Sequence, residues 1–221
     1  MKIFRSCLSY LLILLSLLAG AQDFSNKGKD FWVIYPGHID RTGSRMALYI
    51  TSDQNASGIV EINGNTIPFT VTANQVSTVR LTNTTTPANS IAYNAQVEGV
   101  GIKTGIHITT DNPVVVYSHI LNAARSGSTL VLPTTVLGKK YYVATYKSQG
   151  NQSPRFCQFD VVATEDNTTL EIVPTNADAN GTHPANQPFT VSLSKGDVYQ
   201  YQSIEDLTGT HIRSIGTSGS S

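Results

Sequence analysis

Residues 117–146 read YSHILNAARSGSTLVLPTTVLGKKYYVATY, and no helical period runs through them. Apolar residues come instead in short runs, separated by Asn, Ser, Gly and Pro, the residues that turn or end an extended chain. What flanks this stretch on its two sides is one pattern written twice. DFWVIY (30–35) answers to KYYVATY (140–146), LYITSDQNASGIVEI (48–62) to DVVATEDNTTLEI (160–172), PFTV (68–71) to PFTV (188–191), and TGIHI (104–108) to TGTHI (208–212). Four matches in the same order point to an internal duplication. The central stretch then becomes its junction: the end of one unit, a polar loop at 122–128, a buried LVLP strand and the start of the next unit.

Period-two alternation extends outward from the junction in both directions. Strands are expected at 31–35, 46–51, 58–62, 68–72, 77–81, 91–97, 105–109, 113–118, 129–132, 141–146, 158–163, 169–173, 189–193, 198–202 and 209–215. Asn63-Gly64 is a type I′ hairpin signal, and Lys195-Gly196-Asp197 and Glu165-Asp166-Asn167 read as turns. No segment of helical length has an apolar stripe. The fold class is therefore all-β: two tandem, duplicated β-sandwich-like units, 22–127 and 128–221. TGIHI continues as TTDNPVVVYSHI (109–120), whereas TGTHI is followed only by RSIGTSGSS (213–221). The second unit is thus expected to be incomplete at its C-terminus, with an unpaired edge and further domains beyond it.

Lys2 and Arg5 precede an apolar run at 8–18 that ends in Ala19, Gly20 and Ala21. This is the grammar of a secretory signal peptide spanning 1–21, and the run is too short to span a bilayer. A secreted or cell-surface chain follows, with no membrane span after cleavage. Its removal leaves 13 basic against 15 acidic residues, a balance that gives nucleic acid or an anionic membrane no electrostatic purchase. One cysteine remains, Cys157, so the fold rests on its core rather than on a disulfide.

GKDFWV (28–33), STLVLPTTVLGKKYYVATY (128–146), VATEDNTTLEI (162–172) and DLTGTHI (206–212) together resemble the N-terminal domain of the IgGFc-binding protein family. The resemblance covers nearly all of the mature chain. The short signal ending in Ala-Gln and the lack of disulfide-forming cysteines tilt it toward the bacterial, Bacteroidetes-type secreted members. It implies a non-catalytic extracellular binding or adhesion module.

Nothing in the residue pattern demands a reaction. The five histidines are not at metal-ligand spacing, and no HExxH, CxxC, phosphate loop or GxSxG elbow occurs. His107 and His211 fall at equivalent repeat positions, which favours a structural role. Asp53, Glu165 and Asp166 are hard-oxygen candidates for Ca²⁺, but turn chemistry explains them without an ion. No cofactor and no metal are expected, and the chain is not read as an enzyme. Trp32 sits in a continuous apolar run and is read as core. The binding candidates are Asn122, Arg125, Ser126 and Ser128 of the polar loop, and Tyr199 and Tyr201, which alternation places on one face as a platform for stacking. The expected ligand is an extracellular protein or glycoprotein; the alternative is a carbohydrate-binding region of a larger secreted hydrolase.

Overall fold

The computed structural model describes residues 25–36, 44–81, 98–122, 125–147 and 155–216. The expected signal peptide and the expected strand at 91–97 lie outside them. In chain order the strands are β1 Gly28–Val33, β2 Arg45–Thr51, β3 Ala56–Ile62, β4 Asn65–Val71, β5 Val76–Arg80, β6 Gly99–Gly101, β7 Ile106–Asn122 and β8 Arg125–Val131. After a 3-10 turn at Thr134–Val136 come β9 Lys140–Tyr142, β10 Cys157–Val162, β11 Thr168–Val173, β12 Phe189–Leu193, β13 Val198–Ser203 and β14 His211–Gly216. The chain is all-β, and every strand pair is antiparallel.

Alternation places the side chains as it should. In β2, Met46, Leu48 and Ile50 are buried while Arg45 and Tyr49 face out; in β11, Thr168, Leu170 and Ile172 are buried. Asn63 (φ 50°) and Gly64 (φ 73°) are both left-handed, which is what a type I′ turn between β3 and β4 requires.

The first sandwich is built around β7. Its first residues pair with β1 and β3, and from Val115 onward it pairs with β2 and β8. One strand therefore crosses from the sheet β4-β3-β7-β1 into the sheet β5-β2-β7-β8. The two strands expected at 105–109 and 113–118 are in fact this single 17-residue strand. Pro113 lies at the changeover, between the last pair with β3 at Thr110 and the first with β2 at Val115, where its missing N–H costs no ladder bond. The two sheets close on one core, in which Phe31, Leu48, Ile50, Val60, Ile106, Ile108, Val114 and Val116 are fully buried.

The second sandwich pairs the sheet β12-β11-β14-β9 with the sheet β10-β13-β6. Ile172, Tyr201 and Leu207 are fully buried between them, and Phe159 stacks on Tyr201 at 5.2 Å. The order β12-β11-β14-β9 has the same sense as β4-β3-β7-β1. Trp32 lies opposite His107, and Tyr142 opposite His211. The Glu-Ile matches, however, are out of register: Glu61 faces His107, whereas Glu171 faces Arg213 and Val173 faces His211. A slip of two residues keeps each side chain on its own face, so alternation alone does not reveal it.

β6 joins the two sandwiches. It comes from the N-terminal half but pairs with β13, placing Gly101 opposite Val198 and Val100 opposite Tyr199. Around it, Gly105 N–H donates to the Gly196 carbonyl (2.9 Å), Lys103 N–H donates to Asp197 Oδ1 (2.9 Å), and the Lys103 ammonium donates to the Lys195 carbonyl. A Cβ on Gly105 would fall 2.7 Å from Val162 and 3.2 Å from Trp32, so only glycine fits there. Trp32, expected in the core, is half-buried at this junction. The boundary expected at 127/128 falls inside β8. Among the described residues β10 has a partner only in β13, and no helix is long and apolar enough to cross a membrane.

Candidate functional site

The segment expected as a polar loop at 122–128 is a β-hairpin, with Asn122 paired to Arg125 and the ladder running back to Val116 and Val131. The side chains of Asn122 and Arg125 lie outside the described residues. Ser126 and Ser128 are exposed on β8, opposite Leu121 and His119. Cross-strand register extends this face across the sheet. Arg80, Ala47, His119 and Ser128 form one row, and Thr78, Tyr49, Tyr117 and Leu130 form the next. Tyr49 (36% exposed) and Tyr117 (43%) are direct neighbours, and the His119 ring lies 5.9 Å from that of Tyr49. Sequence reasoning placed the serines but missed the tyrosine pair, because Tyr49 and Tyr117 come together only through β2–β7 pairing.

Tyr199 and Tyr201 do share a face, but it is the inner one: they are 4% and 0% exposed, so neither ring is open for stacking. Burial first, then the nearby carboxylates of Glu98 and Asp178, pushes both phenols above their ordinary value. Tyr201 donates to the Asn176 carbonyl (2.8 Å), whereas the buried Tyr199 hydroxyl has no partner among the described residues. Beside them, Glu98, Asp178 and His183 converge, their ligand atoms within 4.8 Å of one another. Asp178 accepts the N–H groups of Thr182 (2.7 Å) and His183 (3.1 Å), which fold the loop around its carboxylate. His183 stacks on Phe189 at 3.8 Å. Burial, followed by the charge and hydrogen bond of Asp178, raises the Glu98 carboxyl to about 8. Asp178 and His183 are five residues apart in one loop, but nothing local in the sequence brings Glu98 to them.

The remaining candidates resolve into structural contacts. His107 stacks on Trp32 (4.3 Å) between Asp30 Oδ2 (3.0 Å) and Glu61 Oε2 (3.1 Å). A cleft of about 460 Å³ opens beside this stack, lined by Trp32, Glu61, His107, Lys103 and Lys195. The Lys195 ammonium also lies over the Trp32 ring, 6.0 Å from its centre. Asp53 pairs with Lys27 (2.8 Å), which holds its carboxyl below the usual range, and Asp166 accepts the Lys195 N–H (2.9 Å). Asp53 thus sits in an ion pair, and Asp166 anchors the start of the Lys195-Gly196-Asp197 turn. Cys157 is buried and donates to the Tyr146 carbonyl (2.9 Å).

With this geometry in place, the chain can be set beside known proteins. Residues 127–218 match the family model described as IgGFc binding protein. No curated protein and no solved structure matches the chain. The segment similar to the IgGFc-binding family begins in β8 and ends just after β14. It takes in the second sandwich together with Asp178, His183, Tyr199 and Tyr201, but it leaves out β6 and Glu98, which the N-terminal half supplies.

Proposed function

We propose that the chain is a secreted, non-catalytic binding or adhesion module, of the bacterial type within the IgGFc-binding family, and that its two sandwiches descend from a duplication. The match over 127–218 is the observation that carries the binding reading. The outer face of β5-β2-β7-β8 is where we place the ligand. Adjacent exposed tyrosines supply apolar contact at little conformational cost, and Arg45, Arg80, Ser126 and Ser128 supply a polar surround. A protein or glycoprotein is the favoured ligand. The pair Tyr49–Tyr117 also supports a second reading, in which a sugar ring stacks on the aromatic face.

Binding of the full chain to a panel of extracellular glycoproteins, including the Fc fragment named by the family's description, tests this by interferometry. Each glycoprotein is offered intact and enzymatically deglycosylated. The double variant Tyr49→Ala/Tyr117→Ala is expected to lose at least about tenfold in affinity with its circular dichroism unchanged. Retention of binding after deglycosylation supports the protein reading, and its loss, with matching signals on a glycan array, supports the sugar reading. Equal binding by the wild type and the double variant would remove the site from this face.

A further inference from the structure

We propose that Glu98, Asp178 and His183, with the buried Tyr199 nearby, form a binding site for a divalent transition-metal ion of the zinc class, which ties the segment before β6 to the loop between β11 and β12. Glu98 comes from a distant part of the chain, whereas Asp178 and His183 share one loop, and the ligand atoms of all three lie within 4.8 Å of one another. Donors that each sit about 2.0–2.2 Å from a common ion lie no more than about 4.4 Å apart, so these atoms need only small shifts to share one. Among the described residues, no lysine or arginine pairs with Glu98 or Asp178.

A second observation comes from Tyr199, whose phenol lies within reach of the Glu98 and Asp178 charges. Tyr199 is 4% exposed and, among the described residues, its hydroxyl has no partner; within the cluster, Glu98 Oε1 is also buried with no hydrogen-bond partner among them. Buried polar atoms are ordinarily satisfied, and two orphans beside one cluster of donors call for a shared partner. A single cation accepts lone pairs from both.

The donors are also pre-oriented. Backbone N–H groups of Thr182 and His183 hold the Asp178 carboxylate, and the Phe189 ring, stacked at 3.8 Å, sets the plane of the imidazole. Supports of this kind behind the ligands are what fix a metal site. An imidazole nitrogen among the donors favours zinc over calcium, which takes oxygen ligands.

The test uses the full chain and Zn²⁺ alone, by titration calorimetry and by metal content after dialysis. The wild type is expected to take up one equivalent at micromolar concentration or below, with a rise in melting temperature. Glu98→Gln is isosteric with the protonated acid, and His183→Gln keeps a polar side chain. Each is expected to weaken uptake at least tenfold and to abolish the Zn²⁺-dependent rise in melting temperature, while the metal-free protein melts as before. Ca²⁺ at the same concentrations is expected to give no heat. No uptake by the wild type, uptake unaltered in both variants, or equal affinity for Ca²⁺ would each overturn the proposal; the first would leave the carboxyl pair as a hydrogen-bonded contact only.

Discussion

Asp160 lies on β10 opposite Gln200, whose amide reaches its carboxylate, while its Oδ1 is buried without a partner. Burial raises this carboxyl to about 7, against about 4 in an unfolded chain. The folded protein therefore holds the extra proton through that interval. Its stabilising effect is complete below pH 4 and is lost as pH rises through 7. Asp160→Asn keeps the shape and stays neutral, so it is expected to exceed the wild type by no more than about 1 kcal/mol near pH 4.5 and by about 4 kcal/mol at pH 8. Thermal melts at the two pH values measure the gap. An equal gap at both would show that the group does not titrate as its burial demands.

Among the elements, β6 illustrates what a sequence hides. Gly-Val-Gly has no alternation to read, and its pairing with β13 joins Val100 to Tyr199, far apart in the chain. By contrast, β2 and β11 were legible from alternation, and Asn63-Gly64 from its need for two left-handed residues. Lys195-Gly196-Asp197 was legible as a turn, and Gly196 has φ 85°. Its second task was not: Asp197 Oδ1 accepts Lys103 N–H (2.9 Å) and Oδ2 accepts Ser194 N–H (3.0 Å), so one buried carboxylate shapes the turn and clips the segment after β6. Asp197→Ala orphans both donors and is expected to cost about 2–4 kcal/mol in urea denaturation, with Asp197→Asn in between. A loss under about 0.5 kcal/mol would mean that water replaces the carboxylate freely. The candidate sites escaped for the same reason as β6. Tyr49 meets Tyr117, and Glu98 meets Asp178 and His183, only through long-range pairing, whereas Ser126 and Ser128 could be found because a polar run is local.

For the molecule as a whole, β6, the Gly105–Gly196 bond and the Lys103–Asp197 bond give the two sandwiches shared backbone contacts. They are expected to melt together, in one calorimetric transition whose van't Hoff and calorimetric enthalpies agree. Two resolved transitions would mean that the sandwiches act as separate bodies. The β6 arrangement also bears on tension. Were the sandwiches joined only by a flexible tether, pulling on a ligand held at the outer face of the first would simply straighten the tether. With β6 laid along β13, the same pull would be resisted by a row of backbone hydrogen bonds, so a load on one sandwich would pass to the other without slack.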